Sequence, residues 1–527
     1  MAGQVSTQAV ARARPGIARR IAVALAALTV LGPALPAIAN PAGEIVVAGA
    51  TLRNQFDPTI MVAMPDYSSF DLLYDGLLNL GPKGKYPALA TAWKVSEDGK
   101  QVDFDLRKGV KFHNGDAFTA EDVKFTYDTM LKQGNTHSYR KAFVESIERI
   151  EVVDPLKVRF VLKQPWPSFF SSSRYGIQPI VPKNYYEKLG ARGFNEKPVG
   201  TGPYRLAATK AGEFSRFEAN AEYWGQVSRV KTVTQRMVKE PFTLYAMLEK
   251  GEADIVYGLT GPLMERVRAN PKVRVFQSRY SGTSGMYFSK AKFPESSDRR
   301  VRLAFAHAIN REEIAKRMLG GVCEPGTSIF TPATYGFLPG LKPIPYDPAK
   351  AKALLAEAGV KPGREVTYTL HTESFGSLPS GPQVLEAIAG NLEAVGFKVQ
   401  REPVDTSSWL AMMRGKRQPA VFYGPSSMPD DGGETIEGWY SSTAVWSSGN
   451  ISVPEYDKVF KAQLQTTDAR KREAMLQEFA RLEDERREAV PLFWCHTEFA
   501  AGPRIKQWTP GVGSAYHYHL QSIELGK

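Results

Sequence analysis

Three short segments of the chain have the hydrophobic patterns of β-strands. Residues 101–106 (QVDFDL) and 157–162 (KVRFVL) alternate polar and apolar side chains, as a strand with one exposed face does. Residues 44–48 (EIVVA) form a mostly apolar run of the length typical of a buried strand. We therefore expect a strand at each of these positions.

Helical patterns are interspersed with the strands. Thr119 is expected as a helix N-cap, with Asp122 close to the third helical position, where a carboxylate can complete a capping box. Asp347 and Pro348 predict a second helix start, because aspartate favours the N-cap and proline the first helical position. Residues 466–488 predict a long charged helix with one apolar stripe. The mixture of strands and helices predicts an α/β chain.

Turn signals and large aromatic residues add to this pattern. Residues 98–99 (Asp-Gly) lie between two strand-like runs and predict a hairpin turn. Gly200 and Gly202 are expected in a turn where side chains would clash. We interpret Trp93 and Trp224 as core anchors rather than ligand contacts.

Residues 1–39 have the pattern of a secretory signal peptide. A pair of arginines precedes an apolar run over residues 21–38, and Ala37 and Ala39 place small side chains at the two positions that a signal peptidase reads. We expect cleavage between Ala39 and Asn40, and a periplasmic, oxidising location for the mature chain.

A membrane anchor is the alternative interpretation of the same segment. Gly32, Pro33 and Pro36 interrupt the apolar run, whereas a stable span needs about 20 apolar residues. Because no cysteine follows the run, a lipoprotein anchor is excluded. The paired arginines are a weak twin-arginine signal, so the export route stays open between Sec and Tat.

Composition excludes several classes of protein. The chain has 527 residues, 43% of them apolar and 23% charged, which are globular values and exclude a disordered, collagen-like or coiled-coil chain. A mean hydropathy of −0.30 excludes a polytopic membrane protein. The net charge of +12 lies partly in residues 1–39 and forms no long basic runs, so we expect no nucleic-acid binding.

Candidate catalytic and metal-binding chemistry is weak. The chain lacks the motifs H-E-x-x-H, G-x-x-x-x-G-K-[ST], C-x-x-C and G-x-S-x-G. Residues 282–285 (GTSG) are a poor nucleophile elbow and predict a turn. His517 and His519 could grip a metal from one face of a strand, although a partly exposed terminal strand is the simpler interpretation. His496 beside Cys495 has no identifiable third group for thiol–imidazole catalysis. We expect no enzyme activity, no metal and no cofactor.

Five sequence blocks follow one another along the chain. They are 87–123 (with PALATAW, SEDGK, FDLRKGVKFHNG and TAEDV), 200–225 (GTGPY and YWG), 248–255 (ending GEADI), 301–311 (VRLAFA and AINR) and 346–359 (YDP and LLAEAG). In this order they closely resemble the family 5 extracellular solute-binding proteins, the peptide, nickel and opine receptors of ABC importers. The resemblance covers nearly the whole mature chain.

The resemblance implies a two-lobed periplasmic binding protein fold, type II and cluster C-like, with an extra subdomain in lobe I. The implied segments are lobe I at 40–78, 199–278 and 500–527, the subdomain at 79–198, and lobe II at 279–499. Closure of such lobes about a hinge buries a ligand and presents a new surface to the permease.

The implied function is a monomeric periplasmic receptor that delivers a peptide-class ligand to the permease subunits of an ABC importer. Alternatives are the same role for an opine, a glycoside or a metal chelate, and a periplasmic signalling or chaperone protein on this fold. A secreted hydrolase is a further alternative that the missing catalytic motifs disfavour.

The dipeptide-binding branch of the family carries a lobe II loop of the type Trp-x-x-Asp-x-x-Asp-Pro, whose first aspartate pairs with the ligand's amino terminus. In residues 422–432 (FYGPSSMPDDG) that position holds Ser427 or Met428, depending on the register. The branch's arginine for the ligand carboxylate is replaced by Pro382 or Gln383. We therefore expect dipeptides to bind poorly.

The expected specificity loop is residues 423–446, with Phe422 and Trp409 in the core. The candidate ligand contacts in it are Tyr423, Ser426, Ser427, Asp430, Asp431, Trp439, Tyr440 and Trp446. Aromatic rings among Ser, Thr and Gly suggest a loop that stacks on a ligand. Replacement of Trp439 by Ala is expected to weaken ligand binding with little effect on folding.

Cys323 and Cys495 both fall in the expected lobe II. In an oxidising compartment they can form one disulfide, worth up to about 5 kcal/mol on a loop-entropy estimate. A buried thiol at Cys495, inside a strand, is the alternative.

Overall fold

A computed structural model of the protein describes residues 43–60, 66–81, 84–137, 139–171, 178–259, 261–372, 378, 380–427, 430–444, 446, 451–511 and 518–526. The expected signal peptide lies outside these residues. Ala39–Lys527 form one compact unit, to which the description below is confined.

The strands are given in chain order. They are β1 (Glu44–Gly49), β2 (Leu78–Gly81), β3 (Gly84–Pro87), β4 (Ala90–Val95), β5 (Gln101–Leu106), β6 (Ile147–Asp154), β7 (Lys157–Leu162), β8 (Tyr204–Lys210), β9 (Phe214–Ala219), β10 (Thr232–Met237), β11 (Ile255–Tyr257), β12 (Arg274–Phe288), β13 (Cys323–Pro325), β14 (Glu365–His371), β15 (Lys398–Val404), β16 (Val421–Ser427), β17 (Val490–Ala501), β18 (Ile505–Gln507) and β19 (Glu524–Leu525).

The α-helices are α1 (Tyr67–Leu73), α2 (Ala120–Leu131), α3 (Arg140–Ser146), α4 (Ser168–Ser171), α5 (Lys183–Glu196), α6 (Pro241–Lys250), α7 (Gly261–Ala269), α8 (Arg299–Ala308), α9 (Arg311–Glu313), α10 (Pro348–Glu357), α11 (Gly381–Ala394), α12 (Thr406–Arg414), α13 (Gly432–Thr435), α14 (Pro454–Leu464) and α15 (Ala469–Arg486). Two π-helical turns, Ile314–Met318 and Ile436–Tyr440, and two 3₁₀ turns, Pro294–Ser297 and Leu520–Ser522, are also present.

One mixed sheet runs through the molecule in the order β8-β9-β10-β1-β11-β17-β12-β16-β14-β15, and β13 also pairs with β17. β1 is parallel to β10 and β11, and β14 is parallel to β15 and β16. We call the half formed by β8, β9, β10, β1 and β11 lobe I, and the half formed by β13, β16, β14 and β15 lobe II. The expected α/β fold is confirmed.

Two long antiparallel strands, β12 and β17, belong to both halves. The carboxyl end of β17 pairs with β11, placing Phe499 opposite Tyr257, and with the start of β12. The amino end of β17, from Val490, pairs with β13 and with the second half of β12. The register shifts between Ser278 and Gly282. The lobes are therefore joined by continuous sheet at this point.

A separate antiparallel sheet, β4-β5-β7-β6, forms the subdomain together with α2. Its core is aromatic: the Tyr127 ring of α2 meets the Phe160 ring edge to face at 4.9 Å, and Phe160 meets Phe104 at 5.6 Å. The same buried apolar cluster continues into lobe I, so the subdomain and lobe I share one core.

Local signals set the ends of several helices as expected. Thr119 and Asp122 form the capping box of α2, with Thr119 N donating to Asp122 Oδ2 at 2.9 Å. The Asp347 carboxylate caps α10 by accepting from Lys350 N at 2.8 Å, and Pro348 is its first residue. These three predictions are confirmed.

The glycine predictions are also confirmed. Gly99 has a φ of 68° in the β4–β5 hairpin. A Cβ on Gly200 would lie 2.0 Å from the Leu73 carbonyl oxygen, and one on Gly202 would lie 2.4 Å from the Leu73 carbonyl carbon.

Two predictions are wrong. Trp93 is 39% exposed, because it lies on the outer face of β4 and stacks on the Phe170 ring at 5.9 Å rather than entering the core. Residues 282–285 lie in β12 and not in a turn, since strands on both sides pair with them. Within the described residues, none of the helices combines the length and the apolar character that a membrane span requires.

Candidate ligand-binding site

The expected specificity loop, residues 423–446, is fixed near its middle by a buried ion pair. The Asp431 carboxylate is fully buried and accepts two hydrogen bonds from the Arg472 guanidinium of α15, at 2.9 and 2.7 Å. Asp431 Oδ1 also accepts from Gly433 N at 2.7 Å, which caps α13. Arg472 Nε donates to Gln463 Oε1 at 2.8 Å. This set of contacts gives Asp431 a structural role.

Asp430 connects lobe II to the segment that precedes the subdomain sheet. Its Oδ2 lies 3.5 Å from Lys85 Nζ in β3, and both side chains are mostly buried. Lys85 Nζ also donates to the Phe170 carbonyl at 3.2 Å. Burial lowers the pKa of Lys85, while the charges of Asp430, Asp431 and Glu434 oppose that shift. The contact therefore brings two distant parts of the chain together beside the expected loop.

The expected aromatic contacts lie in the interior rather than in an open loop. Tyr423 lies in β16 and is 2% exposed, while Trp439 and Tyr440 lie in the π-helical turn and are 4% and 0% exposed. The Trp439 ring stacks on the Tyr287 ring of β12 at 4.4 Å. The Tyr440 ring meets the Phe479 ring edge to face at 5.1 Å. The prediction that Trp439 and Tyr440 lie in a loop is wrong, because these rings complete a lobe II core cluster.

The other expected contacts are placed differently. Trp446 is half buried and stacks on Trp409 at 6.0 Å. Ser426 and Ser427 are on β16, opposite Thr283 and Gly282 of β12. Met428 lies outside the described residues. Trp409 and Phe422 are buried, as predicted. Contact of any of these residues with a ligand stays a prediction.

A junction between the lobes forms where β12 and β17 shift register. Tyr280 has a φ of 54°, and its backbone N donates to His496 Nδ1 at 2.8 Å. Ser278 Oγ donates to the Gly511 carbonyl at 2.5 Å. Burial, with a smaller effect of the Arg279 charge, lowers the pKa of His496 to about 4. The imidazole is therefore neutral at pH 7 and serves as an acceptor for Tyr280.

A cavity of about 520 Å³ opens at this junction. It is lined by β12, by a lobe II segment and by the segment after β18; the lining residues are Val275, Phe276, Gln277, Arg279, Tyr280, Pro332, Ala333, Trp508, Thr509 and Pro510. Its walls combine an aromatic platform with one cationic side chain, which is the composition of a site for a small polar ligand. Sequence reasoning missed this site; its one local signal was the basic–aromatic pair Arg279-Tyr280.

A second, mostly apolar cavity of about 300 Å³ lies between the subdomain and α15. Val102, Leu162 and Phe170 contribute from the subdomain side, and Tyr335 and Arg472 from lobe II. Arg472 thus connects this cavity to Asp431.

The two cysteines are bonded. Cys323 of β13 lies directly opposite Cys495 of β17, and their sulfur atoms form a disulfide. Of the two alternatives left open by the sequence, the disulfide is the one that the structure has, and it holds β13 against β17 beside the junction of the lobes. Among the residues that the structure describes, no three His, Cys, Asp or Glu side chains are grouped to hold a metal ion. His517 lies outside those residues.

The family model of the bacterial extracellular solute-binding proteins, family 5 Middle, matches residues 85–447. The chain belongs to this family. The glutathione-binding protein GsiB of Salmonella typhimurium is 31% identical over 393 residues, which cover 73% of this chain and 74% of that protein. The di/tripeptide-binding protein 2 of Pseudomonas aeruginosa is 28% identical over 453 residues, which cover 80% and 83%.

Solved structures show the same fold. HbpA2 from Haemophilus parasuis superposes with a TM-score of 0.80 at 21% identity, over 92% of this chain and all of that chain. A dipeptide binding protein from Pseudoalteromonas sp. SM9913, in complex with Met-Leu, gives a TM-score of 0.77 at 23% identity, over 92% of this family 5 chain and all of the other. The two-lobed periplasmic binding protein fold predicted from the sequence is confirmed.

Proposed function

We propose that the protein is a periplasmic receptor that captures a peptide-class solute and delivers it to the permease of an ABC importer by closure of its lobes. The observation that carries the proposal is the cavity at the junction of β12 and β17, which is walled by both lobes. The names of the relatives, a glutathione-binding and a di/tripeptide-binding protein, support a peptide-class ligand. Opines, glycosides, metal chelates and a signalling or chaperone role are less favoured, because the curated relatives reported above are named for peptides and glutathione.

The proposed lobe boundaries follow the sequence expectation. Lobe I comprises 40–78, 199–278 and 500–527, the subdomain 79–198, and lobe II 279–499. The position of the β12–β17 register shift next to residue 279 supports the boundary between lobes I and II. Closure at that shift would change the width of the cavity, because its walls come from both sides.

The mature receptor is proposed to begin near Asn40, to act as a monomer and to catalyse no reaction. Its partners are the ligand and the permease subunits in the inner membrane. Contacts from lobe II are proposed at the end of β16 and at Asp430 and Trp446. Asp430 and Trp446 both keep some exposure.

Calorimetry with a panel of solutes tests the ligand class. The panel contains glutathione, trialanine, dialanine, a nickel–histidine chelate and a simple glycoside. We expect saturable binding of glutathione or trialanine and weak binding of dialanine. Tight binding of the chelate or the glycoside alone would overturn the peptide class.

Small-angle scattering tests the closure. The radius of gyration is expected to fall when the tightest solute of the panel saturates the protein. An unchanged radius at saturation would contradict delivery by hinge closure, whatever the ligand is.

A further inference from the structure

The acidic residues of the expected specificity loop are compensated by cations of the protein itself. The Asp431 carboxylate is paired with Arg472, and Asp430 lies 3.5 Å from Lys85. A ligand ammonium group would have to compete with these cations before it could use either carboxylate. Recognition of a ligand amino terminus by Asp430 or Asp431 is therefore disfavoured.

The cavity at the β12–β17 junction, which we call the hinge cavity, is lined by a positive charge rather than by carboxylates. Arg279 lines it with an exposed side chain, and its guanidinium lies 5.8 Å from the centre of the Tyr280 ring. Across the described part of the chain, no carboxylate lies within 4.0 Å of this guanidinium, whereas nearby Arg268 is paired with Glu498 at 2.6 Å. Among the described residues, Arg279 is thus a cation with an aromatic neighbour and no ion-pair partner, and it lines the cavity between the lobes.

The backbone on both sides of Arg279 is held in place. Ser278 Oγ bonds the Gly511 carbonyl, and Tyr280 N bonds His496 Nδ1. Two acids lie near this segment: Glu324, whose carboxylate is 3.8 Å from His496 Nε2, and Glu498, which is paired with Arg268. These two hydrogen bonds therefore fix the backbone position from which the Arg279 side chain extends at the wall of the cavity.

We propose that Arg279 is a specificity-determining residue that binds a carboxylate of the ligand in the hinge cavity. The assignment rests on the proposed function, and it narrows the ligand class to peptides that carry a free carboxylate, either terminal or on a side chain. A guanidinium binds a carboxylate through two parallel, charge-assisted hydrogen bonds, which a lysine ammonium cannot reproduce. The same contact would join lobe II to lobe I through the ligand, because Arg279 belongs to lobe II and Trp508 and Pro510 of lobe I line the same cavity.

The test compares trialanine with trialanine amide, which lacks the carboxylate, by calorimetry on the mature protein. The variants are Arg279→Gln, Arg279→Lys and, as a control of equal net charge to the first, Lys272→Gln at an exposed position outside the cavity lining. Glutathione, which carries two carboxylates, is the second probe.

In the wild type and in Lys272→Gln, we expect the acid to bind about tenfold or more tightly than the amide. In Arg279→Gln the acid should bind as weakly as the amide, and Arg279→Lys should recover part of the difference. Glutathione should follow the acid. Loss of discrimination, rather than loss of binding, is a readout that misfolding does not imitate.

Discrimination retained in Arg279→Gln would overturn the role of Arg279 and leave the proposed function intact. Equal binding of acid and amide by the wild type would do the same. Failure of the wild type to bind any of the three peptides would overturn the proposed function, and this assignment with it.

Discussion

At the scale of single residues, buried charges are satisfied by partners far away in sequence. Asp431 and Arg472 come from a loop and a helix 41 residues apart, and neither side chain is more than 3% exposed. Removal of one partner from such a pair destabilises the fold, because the remaining charge stays in a medium of low dielectric constant.

Replacement of Asp431 by Asn should therefore destabilise the protein by about 3–5 kcal/mol, since it leaves the Arg472 guanidinium buried beside a neutral amide. Urea unfolding followed by circular dichroism measures the change. The control is Glu478→Gln, which breaks an ion pair with Arg481 on the exposed face of α15 and should cost less than about 1 kcal/mol. Equal effects of the two replacements would contradict the structural role given to Asp431.

His113 predicts a loss of stability in acid. Its Nδ1 accepts from Gly200 N at 3.2 Å and its Nε2 faces the Gly202 carbonyl at 3.0 Å, so the ring is neutral with the proton on Nε2. Burial lowers the pKa of His113 to about 4. In the unfolded chain the pKa is about 6.5, so only the unfolded state gains a proton between these values.

The stability from His113 is therefore complete above pH 6.5 and is lost as the pH falls to 4, by up to about 3 kcal/mol. Urea unfolding at pH 7.5, 6.0 and 5.0 measures the slope. His113→Gln should have a flatter dependence than the wild type over this range. Identical slopes would show that His113 does not titrate differently in the folded and unfolded states.

At the scale of elements, packing from both sides decides the environment of the π-helical turn Ile436–Tyr440. The side chain of Trp439, a residue of this turn, packs against the sheet. Its ring stacks on the Tyr287 ring, and a Cβ on Gly424 of β16 would come within 2.6 Å of the Trp439 ring. The turn is thus a core element, although its sequence is flanked by Ser, Thr and Gly.

Replacement of Trp439 by Ala should destabilise lobe II by about 3–5 kcal/mol, because it removes a large buried ring and leaves a cavity. This replaces the sequence-based expectation of little effect on folding. Thermal or urea unfolding without ligand measures the loss, and Trp446→Ala, at a half-buried ring, should cost clearly less. A native-like stability of Trp439→Ala would restore the earlier expectation.

Elements with local signals could be predicted from the sequence, and those that depend on distant neighbours could not. The capping box at Thr119 and the proline start at Pro348 act within one helical turn, so their signals lie in adjacent residues. The run 282–285 looks like a turn because Gly and Ser favour turns, but pairing with β16 and β17 overrides that preference.

The candidate site illustrates the same limit more strongly. The family resemblance identified the fold and the region near Asp430, yet the hinge cavity is built from Arg279, Pro332 and Trp508, which lie in three distant segments. No spacing or motif connects these residues. Lys85 likewise meets Asp430 across 345 positions of the chain, which pattern reading alone does not reveal.

At the scale of the whole molecule, the Lys85–Asp430 contact ties the chain just before the subdomain to lobe II. Both side chains are mostly buried, and the apolar cavity between the subdomain and α15 lies beside them, with Phe170 touching both features. Because this contact joins the segment before the subdomain to lobe II, we expect it to favour the closed arrangement of the proposed lobe closure.

Lys85→Met should weaken binding of the tightest peptide by roughly tenfold, because it leaves Asp430 uncompensated in the closed arrangement. The charge swap Lys85→Asp with Asp430→Lys should recover most of the affinity, whereas either single swap should not. Calorimetry and small-angle scattering measure the two effects. The control is Lys94→Met, at an exposed position of β4. No difference between Lys85→Met and this control would remove the contact from the closing mechanism.

The order of strands in the central sheet also governs when the protein can fold. β1 lies between β10 and β11, and the other neighbour of β11 is β17, so residues near position 44 and residues near position 500 belong to the same half of the sheet. At roughly 5–20 residues per second, the ribosome releases β17 about 20–90 s after β1. During that interval lobe I cannot complete its sheet, so the chain stays incompletely folded until its last long strand has been made.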